Sequence, residues 1–452
     1  MEVKVIGTET IKPSHPTPSY LRRYRLSFLD QLDVSIPINL ITFYAPADNP
    51  HDANTCASVL KRSLSEALSL FYPLAGRTVG NLYVDCNDQG IPFVESRANC
   101  RMSDIVGNPV CSTLELLMPI SVRKEMDVLA AFQFNVFNCG GMSIGMCISH
   151  KVADGSSASE FVMCWSAISR AISNLQKINL NSVAPRLAGD QFFPQMNPVE
   201  LDLSRETIEN VVMKPFVFTH SSIADIRARY FPGARLTRIE VLMEFLLRRH
   251  FQTMLKISHN KDSLKYMVSH VINLRPRIMP PLIVRAFGNM VGIFHFRVEM
   301  SSSSGDGVGE FKVVPHVRSV TSGPNITKHL LRFQDREAQL EYLEERFNRL
   351  EEMSRGGSEQ IVPIFFASQS KFSMYEMDFG WGKPEFVSTT GTVRVNHVLF
   401  LDCKDGKGIQ AFVGLKEEVM ALFEKDEEIL AYAESPLANS RDMDMERQRP
   451  RM

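Results

Sequence analysis

Several features that would settle a function class at once are missing from this chain. Its eight cysteines (Cys56, Cys86, Cys100, Cys111, Cys139, Cys147, Cys164 and Cys403) are scattered with no C-x-x-C pair. That removes a zinc pattern and makes a disulfide scaffold a poor reading, so reduced thiols and a cytoplasmic setting are expected. No apolar run is long enough to span a bilayer, and Met1 to Lys12 lacks the apolar core of a secretory leader. The formal net charge is -1, which gives no electrostatic case for nucleic acid or an acidic membrane. Ser301 to Gly307 is rich in serine and glycine but lacks phosphate-loop spacing, and it reads as a solvated loop. No metal is called for.

What is present is a soluble globular composition, 44% hydrophobic and 22% charged, over 452 residues. Two domains are the natural expectation at that length. An apolar stretch of strand length ends at Tyr44, and a helix follows with Leu60, Leu64, Leu68 and Phe71 on one face, stopped by Pro73. Short strands follow at 82–86 and 132–137. Leu187 to Glu200, with Pro194 and Pro198, has no sustained period and reads as a crossover. A second set opens with a strand near Lys214 to Phe218, a helix at 221–228, and a capping box at Thr237 and Glu240 that starts another helix. A strand at 266–274, a charged helix over 328–353, strands at 393–401 and 408–413 and a last helix over 417–432 complete the pattern. Strands interleave with helices in both halves, which argues for an α/β class with a sheet in each. The expected division is 1–186, a crossover over 187–213, 214–436, and a disordered tail over 437–452.

The richest stretch is Gly140 to Ile168. Met142, Ile144, Met146 and Ile148 alternate with Ser143, Gly145, Cys147 and Ser149, the period of a strand with one face buried. It runs into His150-Lys151-Val152-Ala153-Asp154-Gly155. Ser157 and Glu160 then have capping-box spacing, and Phe161, Trp165 and Ile168 share a helical face. His150 therefore sits where a strand stops and a helix has not begun, and Gly155 permits a tight turn. In the plainest structural reading, His150 is a half-buried histidine and Asp154 a helix cap. A lone His-x-x-x-Asp pair has little specificity. Against that stands His150 as a general base, with an ordinary pKa of about 6.5. Gly141-Met142-Ser143-Ile144-Gly145 is also a literal Gly-x-Ser-x-Gly, the mark of a serine hydrolase. That motif needs a helix directly after its serine, yet the strand period continues to Ser149.

Laid out in order, these landmarks resemble the plant BAHD acyltransferases, coenzyme-A-dependent O- and N-acyltransferases. Ser149 to Gly155 is similar to the family's His-x-x-x-Asp-Gly, and Phe71 to Arg77 to its Tyr-Pro-Leu-Ala-Gly-Arg segment. Val271 to Arg277 and Phe287-Gly288-Asn289 resemble two mid-chain signatures. The run Asp378, Phe379, Gly380, Trp381, Gly382, Lys383, Pro384 is similar to the diagnostic second motif. The matches span about 13 to 432. Pro13 to Pro18 and Phe28 to Leu32 resemble the branch of alkaloid acetyltransferases.

The resemblance implies two chloramphenicol-acetyltransferase-like domains, each a mixed sheet with flanking helices, and a solvent channel between them that presents His150. It implies that His150 is the base and that Asp154 points away to pair with Arg275. Asp378, Phe379, Gly380, Trp381 and Gly382 are then structural, with Trp381, Ser368 and Asn289 as candidate substrate contacts. Acyl-CoA, acetyl-CoA first, is implied as co-substrate rather than a resident cofactor. The acceptor is expected to be a hydroxyl of a plant specialised metabolite, an alkaloid first, and the protein a monomer. The chain departs from the family at Gln369 and Lys371, where the run Ser368-Gln369-Ser370-Lys371 stands in place of the common Ser-Trp-x-Arg. Lysine cannot make arginine's planar bidentate contact. A non-catalytic binder with the same fold is the remaining alternative.

Overall fold

The computed structural model describes 1–32, 37–46, 53–119, 128–187, 189–196, 211–257, 263–278, 285–301, 312–321, 323–354, 361–390 and 395–434. The chain forms two compact units. The first is Met1–Arg205 with Leu274–Val291 and Lys371–Thr390; the second is Glu206–Asn273 with Gly292–Ser370 and Gly391–Met452. The first unit therefore takes two inserts from the C-terminal half, one carrying Arg275 and Asn289, the other the second motif.

The first unit is built on a six-stranded sheet in the order Val3–Ile11, Ile91–Ala98, Ala130–Phe137, Met142–Ser149, Pro37–Tyr44, Phe386–Ser388. Ile91–Ala98 and Ala130–Phe137 run parallel and the other pairs antiparallel, so the sheet is mixed. Helices Ala53–Leu70 and Gly155–Ser173 cover one face. Trp165 joins the layers: its indole N–H donates to the Leu60 carbonyl (3.2 Å) and Ser63 Oγ (3.0 Å), and its ring meets Phe132 of the sheet edge-on at 4.8 Å.

The Met142–Ser149 strand departs from expectation in burial. Its serine–glycine–cysteine face is as buried as its methionine–isoleucine face. On that face Asn135 donates to Ser143 Oγ (3.1 Å) and the Leu117 carbonyl (3.1 Å), and Gln133 donates to the Leu116 carbonyl (3.1 Å) and Asn135 Oδ1 (2.8 Å). A polar face can be buried when its groups find such partners. Gly145 is required there, because a Cβ would stand 2.2 Å from the Leu117 carbonyl oxygen.

The second unit has a six-stranded mixed sheet in the order Val291–Ser301, Ser263–Asn273, Ile361–Ser368, His397–Asp402, Ile409–Lys416, Val211–Phe218. The helix Arg238–Ile257 lays Val241, Phe245 and Leu246 into a core with Tyr266, Val268, Phe366, Phe400 and Val413. Its capping box is formed: Thr237 N–H donates to Glu240 Oε2 (2.7 Å), and Glu240 N–H to Thr237 Oγ1 (3.2 Å).

Two helices expected to be continuous are broken. The 328–353 stretch is Gly323–Leu331 and Arg336–Ser354, because Asp335 accepts from the Ala338 N–H (3.1 Å) and starts a new helix. The 417–432 stretch is Glu417–Phe423 and Glu427–Tyr432, restarted by Asp426, which accepts from the Glu428 and Ile429 N–H groups. An aspartate that fits the 3.6 period can still cap, and the cap wins. Within 187–200 a short helix, Gly189–Phe192, interrupts the expected crossover. The loop after Ser301 and the tail over 437–452 lie outside the described residues.

Candidate active site

The strand ends at Ser149, a turn carries His150 to Val152, and the helix begins at Gly155. Asp154 is its N-cap, accepting from the Ser157 N–H at 2.9 Å. The Ser157–Glu160 spacing is not the cap. Ser157 is already inside the helix, and its hydroxyl donates to the Gly288 carbonyl (2.8 Å) and accepts from the Gly288 N–H (3.1 Å) and Arg275 (2.8 Å).

Asp154 is buried, and its second oxygen accepts from Arg275 Nη1 at 2.7 Å and from the Met290 N–H at 2.9 Å. Arg275 is also buried and donates to the Ala286 (3.0 Å) and Gly288 (3.0 Å) carbonyls. Burial alone would raise the Asp154 carboxyl. The Arg275 charge, its hydrogen bond and the two backbone donors outweigh that, so the group is held below the usual carboxylate range. Both Asp154 oxygens are thus taken up by donors from the protein itself.

His150 is half-buried at the head of the turn. Its backbone carbonyl accepts from Asn289 Nδ2 at 2.7 Å. Asn289, 1% exposed, also donates from its backbone N–H (2.7 Å) and Nδ2 (2.9 Å) to Asp30 Oδ1. Asp30 Oδ2 accepts from the Ser27 N–H (2.9 Å) and hydroxyl (2.7 Å). Burial pushes the Asp30 carboxyl up, against the pull of the Asn289 and Ser27 hydrogen bonds. Asp30 was not singled out from the sequence. The signal was a Ser-x-x-Asp box whose acid sits among Phe28, Leu29 and Leu32, all buried.

The second motif packs on the far part of the same helix. Phe379 is buried, edge-on to Trp165 at 4.8 Å and stacked on Trp381 at 5.8 Å, and its carbonyl accepts from Ser169 Oγ at 2.7 Å. Asp378 Oδ1 accepts from the Gly380 (2.8 Å) and Gly382 (3.0 Å) N–H groups and closes the turn. Trp381 is half-buried, with Tyr44 edge-on at 6.1 Å. Ser169 lies roughly 22 Å along the helix axis from Asp154, at 1.5 Å per residue. Ser368 ends a strand of the second unit and accepts from the Ser370 N–H at 3.2 Å. Ser370 Oγ donates to Asp402 at 2.8 Å. Ser143 lies inside a strand with 0% exposure, without the strand-to-helix turn of a nucleophile elbow. Among the described residues no His, Cys, Asp or Glu cluster could hold a metal ion.

The model described as "Transferase family" matches residues 1–430, and the chain belongs to that family, the BAHD acyltransferases. It is 33% identical over 444 residues to the limonoid 21-O-acetyltransferase of Melia azedarach, covering 96% of this chain and 98% of the relative. It is 30% identical over 443 residues to the stemmadenine O-acetyltransferase of Catharanthus roseus, covering 94% and 97%. The crystal structure of vinorine synthase superimposes with a TM-score of 0.79 at 29% identity, covering 96% of this chain and 99% of that one. The structure of F. graminearum TRI101 complexed with coenzyme A and T-2 mycotoxin has a TM-score of 0.68 at 14% identity, covering 91% and 99%, and shares the fold.

Proposed function

We propose that the protein transfers an acetyl group from acetyl-CoA to a hydroxyl of a plant specialised metabolite of the alkaloid or limonoid kind, with His150 as general base. The observation that carries the assignment is the division of labour in the motif. Asp154 is held ionised by Arg275 and two backbone N–H groups. That leaves His150, at the head of the turn, as the motif's proton carrier. His150 takes the acceptor hydroxyl proton as oxygen attacks the thioester carbonyl. When the tetrahedral intermediate collapses, the imidazolium returns that proton to the departing CoA thiolate. Proximity of two bound substrates supplies much of the rate gain, and no acyl-enzyme forms. The names of the two acetyltransferase relatives support acetyl as the group and a hydroxyl as its destination. Among the described residues none of the eight cysteines is in a disulfide, which suits a cytoplasmic setting, and the protein is taken to act as a monomer.

The test is steady-state kinetics with acetyl-CoA and a panel of alkaloid and triterpenoid alcohols, both substrates varied and thiol release measured. Intersecting double-reciprocal lines are expected, and His150→Ala should lower turnover by roughly 10²–10⁴-fold. Ser143→Ala should keep turnover. Parallel lines, or loss of activity in Ser143→Ala with retention in His150→Ala, would sink the reading in favour of a covalent nucleophile. CoA binding without transfer from any donor would favour the non-catalytic binder.

A further inference from the structure

Asn289 has an arrangement that a packing role does not account for. Its amide nitrogen points at two groups that only accept, Asp30 Oδ1 at 2.9 Å and the His150 carbonyl at 2.7 Å, and this fixes which way round the amide lies. The consequence falls on the other end of the amide: Asn289 Oδ1 is buried with no hydrogen-bond partner among the described residues. A buried acceptor left unsatisfied is a penalty that apolar packing would avoid. The site accepts it in order to aim one N–H₂ group at the residue where strand becomes helix.

The anchor behind Asn289 is equally over-determined. Asp30 holds both the backbone and the side chain of Asn289 with one oxygen and both Ser27 donors with the other. The segment around Asn289 is clamped on its other side by Arg275 on the Ala286 and Gly288 carbonyls and by Asp154 on the Met290 N–H. Two buried carboxylates thus fix one short loop, and the Asn289 amide, held by Asp30, grips His150 by its backbone.

We propose that Asn289 and Asp30 are positioning residues for His150. Asp30 orients the Asn289 amide, and Asn289 sets the peptide plane that follows His150, and with it the direction in which the imidazole leaves the turn. Neither residue needs to touch substrate. The inference rests on His150 being the base, and it puts Asn289 behind His150, gripping its backbone, rather than against the substrate.

The test compares Asn289→Ala, Asp30→Asn, the double variant and His150→Ala, with kcat and KM measured for acetyl-CoA and for an acceptor that the unaltered enzyme turns over. Asn289→Ala should lower kcat by roughly 10- to 10²-fold, the scale of a small misplacement of a reacting group. Both KM values should stay within about threefold, since uniform binding is untouched. Asp30→Asn should act in the same direction, and it carries the test if Asn289→Ala does not fold. The double variant should be no slower than the worse single one, because the two act in series. Unchanged kcat in both single variants, a loss confined to KM, or multiplicative losses in the double would overturn the relay while leaving His150 as base. Retained turnover in His150→Ala would overturn the base assignment itself, and the relay with it.

Discussion

Asp154 and Arg275 are separated by more than a hundred residues in sequence and meet as a buried pair at 2.7 Å, with three further carbonyl or hydroxyl acceptors around the guanidinium. Removing either partner leaves the other charged and buried. Asp154→Ala and Arg275→Ala should therefore each destabilise the protein by about 3–5 kcal/mol. The double variant should cost clearly less than the sum, because the second change removes a charge already stranded. Urea unfolding of the four proteins checks this, and additive losses would show that the pair is not coupled. That Asp154 could cap the helix was legible in the sequence from its place before Gly155. That it must also satisfy Met290 was not, since nothing local links the two.

Among the elements, the second motif shows how a short run earns its glycines. Gly380 has φ +112°, and a Cβ there would stand 2.5 Å from Ser173 Oγ on the motif helix; Gly382 has φ +108° with open space around it. Gly380→Ala combines backbone strain with a clash, whereas Gly382→Ala carries the strain alone. The expected losses are about 2–4 kcal/mol for the first and about 1–2 kcal/mol for the second. Ser173→Gly, which removes both the Oγ and the Cβ that stand 2.5 Å and 2.6 Å from that position, should recover part of the first and none of the second. Thermal melts of the three variants and the rescue pair read this directly, and equal losses at the two glycines would rule out the steric part. Three strands outside the expected set, Val3–Ile11, Ile91–Ala98 and Ile361–Ser368, lack a strict apolar alternation, whereas Val291–Ser301, also outside it, has one in Phe294, Phe296, Val298 and Met300. Ile361–Ser368 also carries Pro363 inside a sheet, a residue that argues against a central strand. Its assignment is decided by parallel pairing to neighbours on both sides.

For the molecule as a whole, the pH dependence of stability should be set by two histidines of the second unit, the buried His250 and the half-buried His329. His250 lies between Tyr266 Oη (3.0 Å from Nδ1) and Asn396 Oδ1 (3.2 Å from Nε2). Asn396 Oδ1 can only accept, so Nε2 carries the hydrogen and Nδ1 accepts from the tyrosine, which satisfies a neutral ring. Burial pushes His250 down to about 4, and burial with the Arg332 and Arg349 charges pushes His329 down to about 4. Between about pH 6.5 and pH 4 the unfolded chain takes up these protons and the folded chain does not, so stability is full above pH 6.5 and falls as the pH drops. For His250 the loss approaches about 3 kcal/mol near pH 4. Urea midpoints measured from pH 7.5 to pH 4.5 should decline, and His250→Gln should flatten that slope. A slope unchanged by the substitution would mean that His250 is not the group responsible.

The sequence by itself determined the parts whose causes are local: the strand into His150, the helix after Gly155, the Thr237–Glu240 cap, and the ordered motifs that mark an acyltransferase of this family. It also carried the α/β class, because alternation of strand and helix periods is written along the chain. Tertiary structure alone decided what depends on residues far apart in sequence. The first unit recruits Leu274–Val291 and Lys371–Thr390 from the C-terminal half. Ser143 is a buried partner of Asn135. Asp30 and Asn289 meet beneath His150. In each case a buried polar group must find its hydrogen-bond partner wherever the fold brings one, and neither periodicity nor spacing says where that will be.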